Sequence, residues 1–183
     1  NYTIERTAGN NTLFKLDMVV PEDYYDMFMQ MWPNALTLLK QVSEESAGTK
    51  ITISALINAE IGKVWEYWTE PSHIIKWNAA SDDWHCPFAE NDLKENGKFR
   101  STMASRDGKM SFDFEGVYSL IKKHEAIHYG MADGREVQVS FSSEGNATRV
   151  TETFDAENVH SVELQRNGWQ SILNNFKQHA ENN

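Results

Sequence analysis

From Lys50 onward apolar and polar residues alternate with period two. Ile51, Ile53, Ala55 and Ile57 interleave with Thr52, Ser54 and Leu56, which predicts a first strand. Val64, Trp65 and Trp68 then take one side of a helix that opens after Ala59-Glu60, and a short second helix over 72–77, capped by Ser72, follows Pro71. Residues 78–91 show no regular pattern. Alternation returns over 98–105, 110–121, 126–132, 136–142 and 148–155, with glycine-containing turns at Asp107-Gly108, Asp133-Gly134 and Glu144-Gly145. The pattern ends on a helix over 159–180, where Trp169, Ile172, Leu173, Phe176 and Ala180 share one face. Strands in series with helices set apart predict an α+β fold: an antiparallel curved sheet wrapped around a long C-terminal helix, with two short helices after the first strand.

Ahead of this block, residues 2–7 and 12–20 read as a hairpin around Gly9-Asn10-Asn11. Pro21-Glu22-Asp23 opens an amphipathic helix to about Ser43, in which Pro33 predicts a kink or a restart. This segment echoes the end of the chain. With Trp32 laid on Trp169, Leu36 meets Leu173, Lys40 meets Lys177 and Gln41 meets Gln178. Two amphipathic helices can match this far by chance. The expectation is nevertheless that residues 1–47 are the C-terminal remnant of a preceding copy of the fold of residues 49–183. Its helix would then cover a missing half or pair with a second copy, as a homodimer.

The 183 residues suffice for one domain with a sizeable core, and 40% hydrophobic with 24% charged residues is ordinary for a globular chain. A formal charge of −10 lacks the basic stripe of a nucleic-acid surface, so no nucleic-acid partner is expected. No apolar run reaches the ~20 residues of a membrane span and no signal-peptide pattern appears. With a single cysteine, Cys86, a cytoplasmic protein is expected, with no membrane partner.

Ser81-Asp82-Asp83-Trp84-His85-Cys86-Pro87 is the one cluster with catalytic vocabulary. Asp82 or Asp83 with His85 could form an acid–base pair, or His85 could join Cys86 and His73 around a metal. Zinc wants spaced ligand pairs, and a Cys86 nucleophile would need a positioned base and an oxyanion site, none of which the spacing supplies. The expectation is no metal, no cofactor and no catalytic residue, with Asp82, Asp83 and His85 as polar groups at a cavity mouth. His124, His128, His160 and His179 read as solvent-exposed. Asp113, Glu115 and Glu152 lie on strands and read as facing outward. Any of them turned inward would be a buried carboxyl in need of a partner, and a candidate for ligand recognition.

Seven stretches together resemble the START-like or Bet v 1-like helix-grip superfamily, and within it the bacterial homologues of the activator of heat-shock protein 90 ATPase. They are Ala59 to Trp68 (AEIGKVWEYW), Pro71 to Asn78 (PSHIIKWN), Ser81 to Pro87 (SDDWHCP), Glu95 to Phe99 (ENGKF), Phe112 to Tyr118 (FDFEGVY), Val150 to Phe154 (VTETF) and Gln165 to Trp169 (QRNGW). The resemblance implies a sheet gripping the closing helix, often over an apolar cavity. Trp68, Trp77, Phe99, Met103, Phe112, Phe114, Tyr129, Trp169 and Leu173 are the residues expected to surround that space. They would either line a pocket or fill it, because both use the same residue types. Three functions follow: a non-catalytic binder of a small hydrophobic or amphipathic ligand, which is the leading expectation; a chaperone-interacting protein; or a cyclase- or hydratase-like enzyme, which needs an ionisable group facing a hollow interior.

Overall fold

A computed structural model describes residues 2–6, 12–46 and 48–183. The chain divides into two compact units, Asn1–Glu44 and Glu45–Asn183. In the first, β1 (Tyr2–Arg6) pairs antiparallel with β2 (Thr12–Leu16), and a single 3-10 turn at Glu22–Tyr24 leads into α1 (Tyr25–Ser46). The expected hairpin turn at 8–11 lies outside the described residues. Helix α1 passes through Pro33 without a restart, and Thr37 Oγ1 donates to the Pro33 carbonyl at 2.7 Å. Phe14, Leu16, Met18, Val20, Phe28, Trp32 and Leu36 line an apolar groove within this unit.

The second unit is an α+β helix grip: a curled sheet of seven antiparallel strands closed over one long helix. Its elements are β3 (Lys50–Ile57), α2 (Ile61–Thr69), α3 (Pro71–Trp77), β4 (Trp84–Asn91), β5 (Lys98–Ser105), β6 (Ser111–Lys122), β7 (Ala126–Met131), β8 (Glu136–Glu144), β9 (Ala147–Asp155) and α4 (Val162–Asn182). The strand order is β3-β9-β8-β7-β6-β5-β4, so α2 and α3 connect the two edges of the sheet. Helix α3 begins on Pro71, whose missing N–H costs nothing in a first turn, and Ser72 is inside it rather than its cap.

One strand has no counterpart in the sequence pattern. Strand β4 is an edge strand carrying Pro87, with a bulge between His85 and Phe88. An edge tolerates proline, and the bulge breaks the period-two signal that would have announced the strand.

Helix α4 starts three residues later than its apolar pattern suggests, because Ser161 caps it by accepting from the Leu164 amide at 3.2 Å. Gln165, nearly buried, accepts from the Glu157 amide at 2.8 Å and donates to the carbonyls of Glu157 and His160, pinning the entry loop. Further along, Arg166 and Gln170 donate to the carbonyls of Thr52 and Ser54 on β3, and Asn175 donates to that of Ala79. Glu181 accepts from the Asn58 amide at 2.7 Å. The helix is thus tied down along its length. Beneath it Ile51, Ile57, Val64, Val137, Val150, Phe154, Leu173 and Phe176 are buried to 1% exposure or less and form the core.

Two glycines of this unit carry opposite expectations. A Cβ on Gly97 would lie 2.0 Å from the Asp92 carbonyl oxygen and 2.9 Å from that of Lys94, both fixed backbone. Gly97→Ala is expected to destabilise by about 3 kcal/mol through overpacking. Gly168, inside α4, has open space around its Cβ position. Gly168→Ala is expected to stabilise by about 0.5–1 kcal/mol. Urea midpoints of the two variants should fall on opposite sides of the parent; midpoints shifted in the same direction would contradict the account.

Candidate functional site

A cavity of ≈ 310 Å³ lies between the sheet and α4. Its wall is built from one or two side chains of nearly every element. Trp68 comes from α2, Trp77 from α3, Phe99 and Met103 from β5, Phe112 and Phe114 from β6, Tyr129 from β7 and Trp169 from α4. The rings support one another. Trp68 stacks on Trp77 with centroids 5.2 Å apart, Trp169 stacks on Phe154 at 4.0 Å, and Phe99 meets Tyr129 edge-on at 4.8 Å. Gly116, on the apolar face of β6, lets the Phe99 ring lie over it: a Cβ there would stand 2.8 Å from the ring. Phe112 is half exposed and marks the rim.

Leu173 does not line the cavity. It is 1% exposed and belongs to the core beneath α4, whereas Trp169 and Ile172 on the same helix line the cavity. The expected polar mouth also lies elsewhere. Asp82 and Asp83 are exposed and lend only their backbone carbonyls, to the Arg106 side chain and amide at 2.8 Å. The His85 Nδ1 is buried without a hydrogen bond among the described residues. The loop reaches the rim only through Trp84, whose ring meets Phe112 at 5.8 Å. The polar rim is instead Asn78, Glu90 and Arg135.

The Cys86 thiol donates to the Phe88 carbonyl at 3.2 Å, and burial pushes its pKa up, which leaves it a weak nucleophile. Among the described residues no three His, Cys, Asp or Glu side chains gather as a metal site. His179 is not the free surface residue its position suggested. It shares a 2.9 Å hydrogen bond with His73 of α3, which stacks on Tyr67 at 3.8 Å. Burial first, and the neighbouring His73 second, hold its pKa below the ordinary histidine value.

Glu152 requires the largest correction. Thr148, Val150, Glu152 and Phe154 form the buried face of β9, so the carboxyl points inward and lines the cavity at 7% exposure. Its cross-strand neighbours are Ile53 on β3 and Val139 on β8, both buried. No described residue gives it a hydrogen bond or an ion pair, and burial pushes its pKa up to about 8. Nearby, the Tyr118 hydroxyl donates to Asn91 Oδ1 at 2.8 Å, and Asn91 donates to the Thr69 carbonyl at 2.6 Å. Burial, followed by the charge of Glu152, drives the Tyr129 phenol well above its usual value. At neutral pH the cavity therefore contains a protonated carboxyl and two neutral phenols.

The family model described as Activator of Hsp90 ATPase homolog 1-like protein matches residues 58–181. The chain belongs to this family. Among solved structures, that of an AHSA1-like protein from Aeromonas hydrophila is 46% identical, with a TM-score of 0.69 over 73% of this chain and 92% of that one. A Cytophaga hutchinsonii protein is 51% identical, with a TM-score of 0.65 over 74% and 94%. A protein from Nitrosomonas europaea, 16% identical over 73% and 95%, has a TM-score of 0.65 and shares the fold. None of the curated proteins matches the chain. Among the described residues no helix is long and apolar enough to cross a membrane.

Proposed function

We propose that this member of the activator of Hsp90 ATPase homolog 1-like family is a non-catalytic binding protein that takes a small hydrophobic or amphipathic molecule between its sheet and α4. The observation that carries the reading is the ≈ 310 Å³ interior space walled by aromatic and aliphatic side chains. A side-chain-filled interior would have no such space, and this volume sits at the lower end of ligand pockets. The size fits a molecule of one or two fused rings. The enzyme reading keeps one specific point in its favour, the inward carboxyl of Glu152. Acid–base chemistry uses a second polar group in reach to orient the acid, and Glu152 has no hydrogen-bonding partner among the described residues. The family's name supplies the chaperone reading, to which no feature of the cavity contributes.

Titration with Prodan, a neutral polarity-sensitive fluorophore built on two fused rings, tests the binder. Emission should rise and saturate with the parent protein. Ile172→Trp, which fills the cavity from α4, should weaken the probe about tenfold or more at unchanged thermal stability. Equal binding by the two proteins would place the probe on the surface and remove the proposal.

A further inference from the structure

We propose that Glu152 is the recognition group for a basic nitrogen, so that the cavity selects small aromatic or aliphatic amines over alcohols and acids of the same shape. This rests on the binding reading above and adds the chemistry of the ligand's polar end.

The argument begins with what faces the cavity. Arg135, at its rim, is committed to Asp133, with Nε 2.8 Å from the carboxylate. Glu90, also at the rim, is ion-paired with Arg100 at 3.0 Å. Tyr118 spends its hydroxyl proton on Asn91, and Tyr129 offers a neutral phenol. That leaves Glu152 as the ionisable group without a partner among the described residues. It is 93% withdrawn from solvent and flanked by Ile53 and Val139, and it is an acid. An unpartnered carboxyl in the middle of a sheet's apolar face is a standing cost, and a molecule that arrives with a hydrogen-bonding cation removes it.

The surroundings favour the same ligand. Aromatic ring faces attract cations, and the cavity wall is largely aromatic. A carboxylate ligand would meet Glu152 acid to acid, with no uncommitted cation at the described rim to hold it. An alcohol could accept one hydrogen bond from the protonated carboxyl but gains nothing from charge. The protein's net charge of −10 adds a long-range attraction for cations.

The proton balance is defined. The ligand enters as an ammonium ion, Glu152 gives its proton to solvent, and the ammonium donates to the resulting carboxylate. No covalent bond changes. At pH 7 close to one proton is released per ligand bound, and affinity rises with pH until Glu152 is ionised in the free protein.

Three probes of one shape test the proposal: 2-naphthylmethylamine, 2-naphthylmethanol and 2-naphthoate. They are titrated calorimetrically at pH 7, in two buffers of different ionisation enthalpy, into the parent and into Glu152→Gln. The amine should bind about tenfold or more tighter than the alcohol, and the naphthoate weakest. Only the amine should release a proton. In Glu152→Gln the amine's advantage over the alcohol and its proton release should both vanish. Equal binding of amine and alcohol by the parent, or tightest binding of naphthoate, overturns the inference and leaves the cavity reading standing. Binding of none of the three overturns both.

Discussion

Replacing Glu152 by glutamine is expected to stabilise the protein by about 5 kcal/mol at pH 9 and by almost nothing at pH 4. The carboxyl is 7% exposed, and burial raises its pKa from the ordinary 4.5 to about 8. A raised carboxyl pKa means that the native state holds a proton the unfolded chain has already lost. Stability is therefore fully present below pH 4.5 and declines as the pH climbs towards 8, after which it levels off. Glutamine keeps the shape and the polar burial but has no proton to lose, so the variant should show a flat profile across this window. Urea denaturation at pH 4, 7 and 9 reads the difference directly. Parallel profiles for the two proteins would mean that Glu152 titrates normally and reaches water.

Truncating Phe176 should have an effect of similar size and opposite sign. The side chain is 0% exposed and packs against the stacked pair of tryptophans, with its centroid 4.7 Å from that of Trp68 and 4.9 Å from that of Trp77, both edge-on. It joins α4 to α2 and α3, so a void there separates three elements. Phe176→Ala is expected to cost about 3–5 kcal/mol and to lower Tm by about 10 °C or more. A loss below about 1 kcal/mol would show that the helices collapse into the space. The same deletion should enlarge the space beside Trp68 and Trp77 and admit larger ligands.

The two residues also mark how far the sequence can be read. Phe176 was legible because helical spacing puts it on one stripe with Trp169, Leu173 and Ala180, and burial follows the stripe. The same spacing could not separate Leu173, under the helix, from Ile172 and Trp169 beside the cavity. That difference depends on where the sheet curves away. For Glu152 residue type and strand position point opposite ways, and a carboxylate by type belongs on the solvent side. Val150 and Phe154 already set the parity of β9, and parity alone sends the residue between them inward. A charged residue in phase with two buried ones was the signal. Strand β4 was silent because its bulge and Pro87 erase alternation. The His73–His179 contact had no signal at all, since it joins two helices 106 residues apart. Gly97, by contrast, explains part of the family resemblance in physical terms: ENGKF needs a residue without a side chain where Asp92 and Lys94 crowd the backbone.

The order of the strands also dictates a timetable. Of the strands of this sheet β3 is made first, yet among the described residues it pairs there only with β9, and Lys50 meets Asp155 across 105 residues of chain. During synthesis Ile51, Ile53 and Ile57 thus emerge long before β9, their partner strand, and α4, the helix that packs on β3. The stretch between can build its consecutive hairpins from β4 to β9 as it leaves the ribosome, each on the one before. Closure waits for β9 and then for α4, whose Arg166 and Gln170 bond to the carbonyls of Thr52 and Ser54. Until then the nascent chain carries a sticky, unpaired first strand, the segment for which a holding chaperone would compete.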